Sequence, residues 1–436
     1  MKHILLCCIF FLLIAIDGSA QFFPSKWYFG ADFNNGIEEA WRTKACVKAT
    51  ERGDAVLCVV KADGSIPENC QIYWNRPVAG PVEAGDCILT EFPEADIPAG
   101  SFVEFDLTFS AEEGAPSQWV FEYYDGEWIK GRTYKIYASA FENCFQCTSV
   151  FQTVRLRNRA NGTLKLRMRA LESLPAERLS DAPPKCPYSI TIQPHAYMGA
   201  CVNDLGIDLP KDTLKVLCIG NSFTYYYSSP ALLREIAWKE GHYIDMTASL
   251  AGGATFGRHL ESSASIDAVS EGGFDLAILQ DNSIGPVSVG KNKRKNVKYL
   301  EDAQALVLEI MKYSPDCDFL IEYRSSATAK NDFYGCGSLK AYNAKTLRGT
   351  RIMARNAGRA RISHIAEAFM IVRRDRPDIQ ILAPDGVHPS MLGAYLKSCV
   401  NYLTIYGEKF GPDPADCGIS HEYASYLRSV AENVVF

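Results

Sequence analysis

With 436 residues, 47% of them hydrophobic and 22% charged, the chain has enough apolar material for large cores and for roughly two domains. Its formal net charge of −6 is mild and no basic patch stands out, which excludes nucleic acid as an expected partner. At the start, Lys2, an apolar run from Ile4 to Ile16 and the small residues Gly18, Ser19 and Ala20 read as a signal peptide over residues 1–20, cleaved near Ala20. The mature protein is then exported, periplasmic or extracellular. The run is too short for a comfortable membrane span and no later segment is long and apolar enough, so no membrane span is expected. Cys7 and Cys8 lie inside the run rather than at its end, which does not support a lipid anchor.

Thirteen of the 15 cysteines follow the leader. An oxidising compartment predicts disulfides among them, with the pairing open and at least one thiol left over in a monomer. Cys144-Phe145-Gln146-Cys147 is a weak signal for a redox or metal site, because no second such pair and no histidines accompany it. No metal and no cofactor is expected.

Residues 21–205 read as an all-β domain. From Val103 to Phe109 apolar and polar positions alternate as in a half-buried strand, and Gln118 to Tyr124, Thr133 to Tyr137, Thr153 to Arg157 and Thr163 to Arg169 continue the pattern. Asp125-Gly126 and Asn161-Gly162 supply turns. Short strands without a long amphipathic helix predict a β-sandwich of jelly-roll type. Trp41, Trp74, Trp119, Tyr123, Tyr124 and Trp128 either build its core, the commoner role of large aromatics, or stack against sugar rings. A stretch rich in proline and polar residues from Leu174 to Pro187 predicts an irregular connection to residues 206–436.

The second half alternates strand and helix. Leu214 to Ile219 reads as a buried strand that stops at Gly220 and presents Ser222 to the next loop. Ser229-Pro230 opens a helix that runs to Gly241. Strands are predicted near Ile244–Ser249, Leu276–Gln280, Phe319–Tyr323 and Ile362–Ile365, with helices over Val297–Tyr313 and Ser338–Ala357. The final helix starts after Pro389 and carries Leu392, Tyr395, Leu396, Cys399 and Leu403 on one apolar face. Such alternation predicts a flavodoxin-like, doubly wound parallel sheet, with Ser222, Gly252 and Asn282 on loops after three successive strands at one edge.

A serine hydroxyl is a poor nucleophile until a base takes its proton. Pro384-Asp385-Gly386-Val387-His388-Pro389 offers one: a loop bent at Gly386 lets Asp385 hold one nitrogen of His388 while the other faces a nucleophile from another strand. Each residue also has a structural alternative. Ser222 could cap a turn, Asp385 and His388 could form a structural pair or bind a metal, Gly252 and Gly253 could serve a tight turn, and Asn282 could bond its own loop.

The order Ser222, Asp385, His388 on an α/β background resembles the SGNH (GDSL-like) hydrolases, from about Leu214 onward. Gly220-Asn221-Ser222-Phe223 matches the first block, with Asn221 where the family often has Asp. Ser249-Leu250-Ala251-Gly252-Gly253-Ala254-Thr255 matches the second, and Phe274 to Ser283 has the form of the third. There Gln280 replaces a glycine and Ser283 an Asp, as in a bacterial branch whose strand ends Leu-Gln-x-x-Ser. The resemblance implies a Ser222–His388–Asp385 triad and an oxyanion hole from the Ser222 and Gly252 N–H groups and the Asn282 amide. Asn221, Gln280 and Gly253 are candidates for pocket or support, and His259 for a structural role.

Likeness to exported enzymes of this kind that carry an added β-sandwich implies an esterase removing acetyl groups from a poly- or oligosaccharide. A lipase or general carboxylesterase is a second reading, for which no apolar lid segment is evident. A non-catalytic glycan-binding protein on the same fold is a third. Acyl group, sugar and oligomeric state are left open by the sequence.

Overall fold

The structure, a computed structural model, describes residues 27–30, 46–48, 56–66, 83–97, 102–111, 118–124, 126–135, 146–155, 160–173, 189–197, 202–203, 206–207, 212–225, 227, 229–291, 297–324, 331–383 and 386–436. The predicted leader (1–20), the connection at 174–187, Trp41, Trp74, Cys144 and Asp385 lie outside the described residues. No helix among the described residues is long and apolar enough to cross a membrane.

The first half contributes β1 (Trp27–Gly30), β2 (Cys46–Lys48), β3 (Val56–Val60), β4 (Cys87–Ile97), β5 (Phe102–Ala111), β6 (Gln118–Tyr124), β7 (Trp128–Lys135), β8 (Gln146–Arg155), β9 (Ala160–Ala170) and β10 (Ser189–Tyr197). Strands β2-β3-β4-β9-β6-β7 form one antiparallel sheet. Trp119, Val120, Phe121, Leu166 and Met168 are buried there, so Trp119 is a core residue. Trp128 lies instead under the Arg167 guanidinium, 3.9 Å from the ring centroid, and Tyr124 is exposed. Cys58 is disulfide-bonded. The strand expected at Thr153–Arg157 begins earlier, at Gln146, because polar Gln146, Thr148 and Ser149 obscure its start. A two-strand ribbon, β11 (Val202–Asn203) with β12 (Gly206–Ile207), follows.

The second half supplies β13 (Leu214–Gly220), β14 (Ile244–Ala251), β15 (Leu276–Leu279), β16 (Asp318–Glu322) and β17 (Ala360–Ser363). They pair in parallel in the order β14-β13-β15-β16-β17, the flavodoxin-like order expected from the sequence. The same sheet continues through β8, β5, β10 and β1, where Ser249–Ala251 of β14 pair antiparallel with Gln146–Thr148 of β8.

The accompanying helices are α1 (Ser222–Tyr225), α2 (Ser229–Lys239), α3 (Phe256–Leu260), α4 (Ser263–Ser270), α5 (Ile284–Gly290), α6 (Val297–Tyr313), α7 (Asn331–Gly335), α8 (Leu339–Ala357), α9 (Ile365–Asp375), α10 (Met391–Tyr406) and α11 (His421–Val435). Successive strand side chains point to opposite faces, and a sheet covered by helices on both sides makes both sets apolar. Val216 and Cys218 accordingly join a core with Leu233, Phe369, Leu396 and Leu427. Leu217 and Ile219 pack with Phe256, Leu306, Ile310 and Met353 on the other face. Cys218 and Cys399 are free and buried, as core residues should be.

Most strand and helix ends in this half fall within two residues of expectation, and the larger departures lie towards the end of the chain. The last strand ends at Ser363, since Ile365 already opens α9. The helix after Pro389 is not the final one: α11 follows, started by Ser420, which accepts from the Tyr423 N–H, and buries Ala424, Leu427, Val430 and Ala431. Arg428 is buried with them, and Tyr423, Tyr426, Val434 and Val435 pack partly against the same core.

Helices α5 and α8 meet backbone to backbone. A Cβ placed on Gly290 would lie 1.7 Å from the Lys345 carbonyl oxygen, and one on Gly349 1.8 Å from that of Pro286. Only glycine permits such an approach.

Candidate active site

Strand β13 delivers Ser222 at the carboxyl edge of the sheet, where strand order reverses between β13 and β15 and ligands characteristically bind. Gly220 is needed for the turn: a Cβ there would meet Thr224 Oγ1 at 2.8 Å and Gln280 Oε1 at 3.3 Å. The chain then enters α1, with the Thr224 N–H donating to the Asn221 carbonyl at 2.8 Å. Ser222 is partly exposed.

His388 comes from a loop closed at its base. The Ala383 N–H donates to the His388 carbonyl at 2.9 Å, the Ser390 N–H donates to the Ile381 carbonyl at 3.1 Å, and Gly386 takes a positive φ of 65°. The loop carries His388 Nε2 to 2.8 Å from Ser222 Oγ, although 166 positions separate the two residues. Asp385, between Ala383 and Gly386, is not among the described residues.

Three loops at this edge are tied together by side chains. Asn221 donates its amide to the Ala254 carbonyl (3.0 Å) and accepts from the Phe223 N–H (3.2 Å). Gln280, fully buried, accepts at Oε1 from the Asn221 N–H (3.1 Å) and the Thr224 hydroxyl (3.0 Å), while its Nε2 donates to the Asp281 carbonyl. Asn282 donates from Nδ2 to the Gly253 carbonyl (3.0 Å) and accepts from the Ile284 N–H (2.7 Å). Gly253 has φ 63° and is exposed, whereas Gly252 is buried. Thus Asn221 and Gln280 support the loops, and one N–H of the Asn282 amide is committed to Gly253. His259 is fully buried between the Gly220 carbonyl, to which Nε2 donates at 2.9 Å, and the Ser265 hydroxyl at 2.8 Å from Nδ1. Burial pushes its pKa down to about 4, which fits the structural role expected of it.

Other residues at the site escaped the sequence reading. Lys397 on α10 and Glu322 on β16, with side chains 0% and 1% exposed, form an ion pair at 2.9 Å. Lys397 also donates to the Thr224 hydroxyl (2.9 Å) and the Phe223 carbonyl (3.4 Å), while Asn401 donates to Glu322 Oε1 (2.9 Å). A polar chain thus runs from Ser363 through Asn401, Glu322, Lys397 and Thr224 to Gln280, beneath the turn that carries Ser222. The signal available in the sequence was a charge inside an apolar run, Glu322 after Phe319-Leu320-Ile321 and Lys397 next to Leu396.

Asp281, also passed over, accepts from the Phe256 N–H (3.2 Å) and the Asn282 N–H (2.8 Å). Burial raises its pKa to about 7. A carboxyl raised in the folded state stabilises the fold fully below its unfolded pKa, and that contribution is lost as pH rises through about 7. Asp281→Asn, neutral at every pH, is therefore expected to flatten the fall of the melting temperature between roughly pH 4 and 7. A variant with the wild-type slope would place the titration elsewhere.

No family model matches the chain, and no curated protein matches it. Among solved structures, several are similar to part of the chain. A DUF4886 family protein from Bacteroides uniformis matches with 19% identity and a TM-score of 0.42, over 51% of this chain and 95% of that one. A GDSL-like protein from Parabacteroides merdae matches with 14% identity and a TM-score of 0.34, over 46% and 98%. An acetylxylan esterase from Geobacillus stearothermophilus matches with 17% identity and a TM-score of 0.34, over 46% and 97%.

Proposed function

We propose that this chain is an exported serine esterase of the SGNH type that removes O-acetyl groups from a carbohydrate, residues 206–436 being catalytic and residues 21–205 an accessory β-sandwich. The observation that carries this reading is the 2.8 Å approach of His388 Nε2 to Ser222 Oγ at the sheet edge. His388 takes the proton of Ser222 as the oxygen attacks the ester carbonyl, and Asp385 orients the ring and stabilises the imidazolium. The Ser222 and Gly252 N–H groups and the second N–H of the Asn282 amide meet the developing oxyanion. Collapse expels the sugar alcohol, which takes the proton from His388. Water, deprotonated by the same histidine, then releases acetate from the acyl-enzyme and restores the serine. Cross-tied loops suit this work, because donors fixed before reaction need no reorganisation during it.

The test is acetate release by the mature chain from phenyl acetate and from a panel of acetylated polysaccharides, beside long-chain acyl esters. Turnover of acetylated glycans above long-chain esters is expected, together with fluorophosphonate labelling of Ser222 seen by mass spectrometry. The opposite preference would establish the lipase reading. Inertness on every ester, with glycan retained, would leave a binding protein.

A further inference from the structure

Arg324 lies two residues past the end of β16, at the edge that also carries Ser222 and Asn282. Its guanidinium covers the ring of Phe223, next in sequence to Ser222, with Cζ 4.1 Å from the ring centroid. The residue is 4% exposed, and its Nε and Nη2 are both buried without a hydrogen-bond partner. These two nitrogens share one edge of the guanidinium, the edge that grips a carboxylate through two parallel hydrogen bonds. A buried charged donor pair left unmatched is costly and calls for an explanation beyond packing.

Nearby acids among the described residues do not serve that edge. Glu322 is held by Lys397 and Asn401, and Asp281 accepts from backbone N–H groups. The phenol of Tyr342, buried and likewise outside hydrogen-bond geometry, is within electrostatic reach of the guanidinium. Tyr334 stacks on Tyr342, 5.7 Å between centroids, from a segment in which Phe333 and Tyr334 both have positive φ, 50° and 57°. Side chains rarely hold that conformation without strain, and strain of this kind gathers at functional sites.

We propose that Arg324 binds a carboxylate carried by the substrate itself, so that the ester cleaved at Ser222 is borne by an acidic sugar of the uronate class. The inference rests on the esterase reading for its chemistry but on Arg324 alone for its charge. The experiment compares kcat/KM for O-acetylated glucuronic acid, O-acetylated glucose and a sulfated O-acetylated glucose. The wild-type chain is expected to favour the uronate over the neutral sugar at least 30-fold, roughly the discrimination lost when a buried charge pair is broken. In Arg324→Gln that ratio is expected to collapse towards one, with Arg324→Lys between the two because a point charge lacks the fork.

A wild-type ratio near one, or a preference for the sulfated sugar, would overturn the proposal and leave the esterase reading standing. Should no ester be cleaved, calorimetric binding of free glucuronate and glucose to the wild type decides. Selective glucuronate binding that Arg324→Gln abolishes would sustain the carboxylate site while the esterase reading falls. Equal or absent binding would remove both.

Discussion

Ser222→Ala is expected to abolish hydrolysis of phenyl acetate, lowering kcat by at least about a thousandfold and on the order of a millionfold if the chemistry is limiting. His388→Asn is expected to cost as much, and the double variant no more than either, since nucleophile and base act as one unit. That non-additivity separates a catalytic pair from two residues that merely hold the loop. Melting temperatures of the single variants should stay near wild type, because both side chains are partly exposed and neither fills a core. Retention of a tenth or more of the activity in Ser222→Ala would remove the serine from the mechanism.

The second large effect is expected at Lys397. Removing one member of a fully buried ion pair leaves the other charged and unmatched, at about 3–5 kcal/mol. Lys397→Met should therefore lower the melting temperature by roughly 10 °C. It should also reduce kcat, since Thr224 and the Phe223 carbonyl lose the cation that anchors the turn under Ser222. Adding Glu322→Leu to Lys397→Met should recover most of the stability, because two apolar groups can replace a buried pair at little cost. Kinetics then tell two roles apart. Stability recovered without kcat makes Lys397 a positioning residue, whereas recovery of both makes the pair a matter of packing alone.

The parts of this site that were legible in the sequence are those marked by breaks in pattern. Gly220 ends an apolar strand and Gly386 bends a loop before Pro389, so Ser222 and His388 announced themselves despite their separation. Helix α6 was readable to both ends, Val297 and Tyr313, and the segment expected over Ser338–Ala357 is α8 with Ser338 as its cap. What stayed hidden were charges embedded in apolar runs. Glu322, Arg324 and Lys397 sit where hydrophobic patterning predicts core, and only the fold reveals that Glu322 and Lys397 pair with each other while one edge of Arg324 is left unmatched. Gln280 was visible as a departure from the family's glycine. That its amide spans two loops depends on a register between β13 and β15 that no single segment encodes. Helix α11 was missed for a related reason, because Glu422, Ser425, Arg428 and Glu432 interrupt its apolar positions.

The glycine contact between α5 and α8 bears on how such a protein can diversify. Helix α5 begins two residues after Asn282, so any side chain added at Gly290 or Gly349 would act as a wedge whose displacement is passed to that asparagine. Drift at these two positions is closed to the lineage even though neither faces the reaction. Tyr334 belongs to the same bank, stacked on Tyr342 of α8 and held through its carbonyl by Lys291 just after α5, so new substrate preferences must arise away from these helices.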